Sequence, residues 1–293
     1  MTDYSALLSE LAIPRLVGTP NHRKVRETLT RELAARGFAV AEHVFSGRPA
    51  RALVGTPQAI AGVNLIAQRP AGPCGRPAVW LVAHYDSKGQ PISMALRLCG
   101  AGALLAGLAA LAIAPPLLGA ILAAAGALVL ANNRVTDRSP GAVDNATALV
   151  AVFMVLDALR PRPDVGVIFP DAEELGLVGA GALVRERPDL LHDAAVVNFD
   201  GLDDRGRATA VLHRPGPLGR AVATAVDARA MRWMPVVVDG IVLARAAREC
   251  VTIMKGGWHT ARIVHTPRDT PQRLTLTGAR AVAEGVARVL AEP

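Results

Sequence analysis

Cysteine is scarce in this chain: Cys74, Cys99 and Cys250 are the three present in 293 residues. They are odd in number, far apart and form no C-x-x-C pair, so neither a disulfide framework nor a thiolate metal site is expected. The opening stretch, Met1 to Leu16, contains Asp3, Glu10 and a Pro14 break. It lacks the basic start and apolar core of a signal peptide. Both absences point to a reducing, cytoplasmic setting for the soluble part of the chain. Aromatic residues make up 3% and lysine is far outnumbered by arginine, which reads as compositional bias. The formal net charge of +7 would suit an anionic partner such as a membrane surface. No basic run with interleaved aromatics is present, however, so no nucleic-acid partner is expected; a scattered, solvated arginine surface is the plainer account of the excess.

What is present is the composition of a folded protein, 51% hydrophobic and 19% charged, which argues against disorder. The length suits one large α/β domain spanning 1–293. Asn21 to Gly37 reads as an amphipathic helix with Gly37 as its stop. Phe38 to Ser46 alternates like a strand, and Gly62 to Ala67 resembles a second. After the turn-rich segment Arg69 to Pro77, apolar strand-length runs follow at Ala78–Ala83, Val165–Phe169, Ala195–Phe199 and Ala208–Leu212. Helical patterns at Asn145–Leu159 and Leu274–Leu290 lie beside them. Strands alternating with helices predict an α/β fold: a three-layer α/β/α sandwich on a mixed, mostly parallel sheet.

One segment, 92–133, interrupts this pattern. No charged residue lies between Arg97 and Arg134, and Leu98 to Ala131 is almost wholly Ala, Leu, Gly, Ile and Val. Pro115-Pro116 divides it into two arms of roughly 16 residues, each reaching about 24 Å, short of a hydrocarbon core of about 30 Å. Gly119 and Ala123 stand in a small-xxx-small spacing suited to close helix packing. A helical hairpin is expected.

Each presumed strand end carries a polar group that packing does not require: His84-Tyr-Asp86 after the first buried run, Asp171-Ala-Glu-Glu174 after the next, then Asp200-Gly201. Asp144 stands before a helix, and His265 lies in a loop ahead of the last one. Ligands of open α/β sheets lie beyond the carboxyl ends of strands, so these groups can converge. Taken singly they have plainer readings. Asp144 would cap the helix near Asn145, Glu173 and Glu174 would be first-turn acids, Asp200 a turn residue and His265 a satisfied loop histidine. Their recurrence in order at strand ends and helix entrances instead indicates a metal site, and two histidines with several carboxylates suit zinc, cobalt or manganese.

The blocks Ala83-His-Tyr-Asp-Ser87, Gly141-Ala-Val-Asp-Asn-Ala146, Ala172-Glu-Glu-Leu-Gly-Leu177, Asn198-Phe-Asp200 and His265-Thr-Pro-Arg-Asp-Thr270, with Arg15-Leu-Val-Gly-Thr19 ahead of them, resemble the two-zinc aminopeptidase family. That family also holds glutamate carboxypeptidases, transferrin-receptor ectodomains and glutaminyl cyclases. The resemblance implies two Zn2+ per chain, bridged by Asp144, with His84 and Asp200 completing one metal and Glu174 and His265 the other. It implies that Asp86 accepts the second ring N–H of His84, and that Glu173 binds no metal but acts as general base toward the attacking water. Many relatives have a second acid where this chain has Val143. The family also needs only a short loop where this chain carries the apolar hairpin.

The function so implied is an exopeptidase, an aminopeptidase releasing N-terminal residues from a peptide substrate. A glutaminyl cyclase is the alternative, because His84-Tyr-Asp-Ser-Lys88 resembles cyclases. A carboxypeptidase and a non-catalytic, receptor-like module also remain open. Because His84 and Asp144 must meet, both ends of the hairpin lie on one side of any membrane. Lys88, Arg97, Arg134 and Arg138 flank those ends, which places that side in the cytoplasm. The expectation is a membrane-associated enzyme whose 98–131 hairpin is short or re-entrant. The alternatives are a buried hairpin or an oligomer interface in a soluble cytoplasmic protein. Trp258-His259 is expected to be a packed loop pair, and His22, His43, His192 and His213 surface or strand-end residues.

Overall fold

The computed structural model describes residues 2–49, 55–70, 76–113 and 116–292. The chain opens with helix α1 (Tyr4–Leu11), whose first amides are capped by the Asp3 carboxylate, and α2 (Pro20–Ala35). Thr19 caps α2 by accepting from the His22 amide, and Pro20 occupies a first-turn position that lacks nothing by having no N–H. Gly37, at φ +78°, ends the helix as its place in the sequence suggests.

The remaining elements are β1 (Ala39–Gly47), β2 (Ile60–Gln68), β3 (Val79–Val82), α3 (Met94–Ile113), α4 (Pro116–Ala131), α5 (Thr147–Ala158), β4 (Val165–Phe169), α6 (Val178–Glu186), β5 (Ala195–Leu202), β6 (Arg207–Arg214), α7 (Pro217–Ala225), β7 (Arg229–Met231), α8 (Gly240–Leu243), β8 (Glu249–Gly256), α9 (Trp258–Ala261) and α10 (Thr277–Ala291). The strands form one sheet in the order β1-β2-β4-β3-β5-β8-β6-β7. Its centre, β4-β3-β5-β8, is parallel, whereas β1, β2 and β6 pair antiparallel with their inner neighbours.

The period-2 alternation of strand side chains sorts the core into two layers. Leu65, Leu81, Val167 and Val197 meet Leu7, Val25, the apolar side of α5 and Val282 of α10 on one face. Their neighbours Ile66, Trp80, Ile168 and Val196 meet Ala180, Leu183 and Leu243 from α6 and α8 on the other. Strands buried on both faces read as unbroken apolar runs, which is why the central strands showed no alternation of polarity. Gly166 is needed inside β4 because a Cβ there would collide with the Trp80 ring. These layers make the α/β sandwich that the sequence pattern predicted.

The apolar segment is a helical hairpin of α3 and α4. Pro116 opens α4, while Pro115 of the expected turn lies outside the described residues, as does Cys74. The two helices touch along glycines spaced by seven, Gly100 and Gly107 against Gly119 and Gly126. A Cβ on Gly107 would collide with the Ala123 backbone, and one on Gly126 with Leu104. The contact thus runs along heptad-spaced glycines as well as the small-residue pair read from sequence. α3 spans 20 residues, more than the expected arm of about 16, because the helix begins at Met94, ahead of the uncharged run. Leu105, Leu108, Ile113, Leu117 and Ile121 are exposed, so the rest of the described chain does not cover the hairpin.

Candidate metal centre

Three parallel neighbours, β4, β3 and β5, end on the same side of the sheet and deliver most of the candidate groups. His84 and Asp86 follow β3, Glu173 and Glu174 follow β4, and Asp200 stands near the end of β5. Asp144 comes from the turn Ala142–Ala146 ahead of α5, and His265 from the loop between α9 and α10. All seven converge, and each is buried. Asp144 is no helix cap, since the residue capping α5 is Ala146 and it makes no side-chain bond there. Glu173 and Glu174 likewise precede α6 rather than filling its first turn.

Two groups of possible ligands form, His84 with Glu173 and Asp200, and Asp144 with Glu174 and His265, each with its donor atoms within 4.8 Å of one another. Asp144 joins the two. Its Oδ1 is 3.2 Å from His84 Nε2 and its Oδ2 is 3.0 Å from His265 Nε2. Glu174 Oε2 is also 3.0 Å from His265 Nε2, while Glu173 Oε2 is 3.9 Å from His84 Nε2.

Several bonds hold this geometry. The Asp86 carboxylate accepts from the amides of Glu173 and Glu174, at 3.1 Å each. It lies 3.3 Å from His84 Nδ1 without hydrogen-bond alignment, so it fixes the β4 loop as well as facing the ring. The Asn145 side chain donates to the Phe199 carbonyl and accepts from the Gly201 amide, clamping both sides of Asp200. Lys88 donates to the Glu174 carbonyl and stands 3.1 Å from its carboxylate. Ala172 and His265 adopt positive φ, +56° and +65°, conformations that cost a non-glycine residue roughly 1 kcal/mol or more.

Sequence reading missed part of this support. Asp269, quoted within a motif but given no role, accepts from the amides of Val143 and Asp144 and braces that turn. His22 is buried, a correction to its expected surface position: its ring stacks on Tyr85, and Nε2 meets Asp171 at 2.8 Å. A histidine in a polar helix carries no signal that a buried carboxylate awaits it from β4. Asp239, before α8, is fully buried and its carboxylate oxygens have no hydrogen-bond partner among the described residues. Trp258, expected to pack in a loop, is 57% exposed and lines the same cavity as the candidate ligands.

The electrostatics favour a cation. Burial opposes the charged form of His84, yet Glu173, Asp144 and Asp86 outweigh it and hold its pKa well above the usual value. Burial would raise Asp144, but His265 and His84 hold it well below. Glu174, against the same burial, is drawn down to about 2 by His265 and Lys88. Glu173 moves oppositely: burial, Asp200, Asp239 and Glu174 together overcome His84 and raise it well above the ordinary range. Seven buried carboxylates, Asp86, Asp144, Glu173, Glu174, Asp200, Asp239 and Asp269, thus crowd around two histidines, Lys88 and Arg15, a negative excess that a metal ion would neutralise. Both ring nitrogens of His84 are buried without hydrogen-bonded partners among the described residues, which suits ligand atoms of a metal. The residues therefore fit zinc, whose ligands are nitrogen and carboxylate oxygen.

A cavity of about 560 Å³ opens over these groups. The model of peptidase family M28 matches residues 64–290. No curated protein matches the chain. Among solved structures, it is similar to a glutaminyl cyclase from Porphyromonas gingivalis, with 19% identity and a TM-score of 0.67, covering 99% of this chain and 96% of that one. It is also similar to the LapA aminopeptidase of Legionella pneumophila, with 14% identity, a TM-score of 0.65, and 99% and 72% covered. An aminopeptidase from Aneurinibacillus sp. strain AM-1 shows 11% identity, a TM-score of 0.66, and 98% and 92% covered. With the family model matched over more than three quarters of its length, this chain belongs to peptidase family M28.

Proposed function

We propose that the chain is a zinc-dependent exopeptidase of the aminopeptidase type. Asp144 would bridge two zinc ions, with His84 and Asp200 completing one and Glu174 and His265 the other. The observation that carries this reading is Asp144 itself, whose two oxygens face two different histidines, 3.2 and 3.0 Å away. Bound zinc would supply Lewis-acid polarisation of the scissile carbonyl and acidify water toward neutrality. Glu173 would then take the proton from the attacking water and pass it to the leaving amine. Its place in the cavity lining, 3.9 Å from His84 Nε2, suits that role. Asp86 positions Glu173 and Glu174 through their amides, and Lys88 balances the charge of Glu174.

A glutaminyl cyclase is kept as a second reading. The run His84-Tyr-Asp-Ser-Lys88 resembles cyclases, and the likeness to the Porphyromonas gingivalis structure covers nearly all of both chains. Mass spectrometry of a peptide mixture, including N-terminal Gln peptides, separates the two. Stepwise loss of N-terminal residues by zinc-loaded wild type, absent with Glu173→Gln, is the expected result. Loss of ammonia alone from the Gln peptides would establish a cyclase instead.

The hairpin, in the same reading, tethers the protein to a membrane with the catalytic side cytoplasmic. Support comes from its uncharged run, its exposed Leu and Ile side chains and the basic residues at its base, Arg97, Arg134 and Arg138. Residues 94–101 of α3 contribute to the cavity wall, which leaves twelve, 102–113, or about 18 Å of helix, to extend beyond it. That is too short to cross about 30 Å of hydrocarbon, and it favours insertion from one side.

A further inference from the structure

The cavity does not stop at the candidate ligands. Its floor holds Asp144, Glu173 and His265, all buried, and its wall climbs to Leu98, Ala101 and Leu130 at the base of the hairpin. Leu98 is 46% exposed and Trp258, from α9 packed against α3, is 57% exposed, which places both at the rim. Trp233, 74% exposed, adjoins the wall residue Met234. Trp258, exposed beside an uncovered apolar hairpin, stands as tryptophans do where protein meets a lipid surface. The cavity is thus polar and charged at one end and apolar at the other, and its apolar end is continuous with the exposed hairpin.

We propose that the site acts on amphiphilic peptides, with the scissile amide at the ligands and a long apolar tail on the leaving peptide lying along the Leu98–Ala101–Leu130 wall, drawn from the lipid surface. The proposal rests on the exopeptidase and membrane readings above and names their substrate class. An aminopeptidase takes the free amino end inward, so the leaving chain must exit past the rim, where the hairpin stands. The reaction is amide hydrolysis: the C–N bond breaks, the acyl carbon gains the hydroxyl of water, and the amine gains its proton. An apolar tail buried against this wall gains affinity in proportion to the area removed from water.

The test uses the full-length, zinc-loaded protein on phosphatidylcholine vesicles with two probes, Leu-Ala-Ala-amide and its hexadecylamide. Wild type is expected to show a kcat/KM at least about tenfold higher for the tailed peptide. Ala101→Glu and Leu98→Ser each place polarity in the wall while leaving 102–128 of the hairpin unaltered. Each is expected to cut that preference at least about threefold while the protein stays with the vesicles. Leu98→Ser, at a half-exposed position, serves if Ala101→Glu does not fold. Equal rates for both peptides, or a preference unchanged in the folded variants, would overturn the proposal and leave the peptidase reading intact. Equilibrium binding to Glu173→Gln supplies the converse. Tighter binding of the tailed peptide that the wall substitutions weaken, with neither peptide hydrolysed by wild type, would uphold the apolar-tail site and remove the peptidase reading. No preference in either binding or rate would remove the proposal.

Discussion

At Glu173, burial and the neighbouring carboxylates push toward the protonated form while His84 pulls the other way. Glu173, the proposed base, is thereby set apart from Glu174, one residue later, which His265 and Lys88 keep ionised. Adjacent acids with opposite tuning can divide the work of proton transfer and ligation. Glu173→Gln is therefore expected to lower kcat by roughly 10²–10⁴-fold with zinc content unaltered, as elemental analysis alongside peptide turnover would show. Asp86→Ala should instead act on the metal, since it releases two amides and the face of His84. Zinc affinity in a chelator competition should fall about 10–100-fold. Asp239 supports a pH prediction. Burial raises its pKa to about 7, so its ionisation costs stability. The cost is absent below about pH 4, grows as pH rises toward about 7, and is constant above. Asp239→Asn should raise the melting temperature of zinc-free protein more at pH 8 than at pH 4; an equal change at both would contradict this. The motif residues were legible together, as polar groups recurring in order at strand ends and helix entrances, although each alone had a plainer reading. His22 was not, because its partner Asp171 lies far along the chain, and Asp239 was not, because no motif surrounds it to mark it as buried.

At the scale of elements, the sequence marked the hairpin by its lack of charge, although α3 extends through Arg97, ahead of the uncharged run. The Arg97 guanidinium lies 2.5 Å from His265 Nδ1, which ties the base of α3 to the loop that carries His265. The heptad glycines carry the helix contact, with Gly107 tight against Ala123. Gly107→Leu should force the helices apart, and limited proteolysis of the variant should cut within 98–131, where wild type resists. Replacing 98–131 by a short Gly/Ser linker should move the protein from the membrane pellet to the supernatant after high-speed centrifugation. A wild type found in the supernatant without detergent would remove the membrane reading.

At the scale of the whole molecule, the topology explains why five separated motifs meet. Parallel β4, β3 and β5 present their carboxyl ends together, and the antiparallel strands flank them. Alternating apolar runs and helical patterns sufficed to read that architecture. Strand order was not legible, because runs buried on both faces carry no register signal. The buried carboxylates oppose folding unless a cation balances them. Zinc binding should therefore stabilise the whole fold, by about 4 kcal/mol at a thousandfold excess over Kd. Chelation is expected to lower the melting temperature by roughly 8–16 °C, measurable by scanning calorimetry.

The bridging arrangement at Asp144 is tested most directly by native mass spectrometry of zinc-titrated wild type and Asp144→Ala. Two zinc ions per wild-type chain, with both weakened together in Asp144→Ala, is the result expected of a carboxylate that faces both histidines. A single zinc in wild type, or an Asp144→Ala variant that loses one zinc and keeps the other at full affinity, would contradict it.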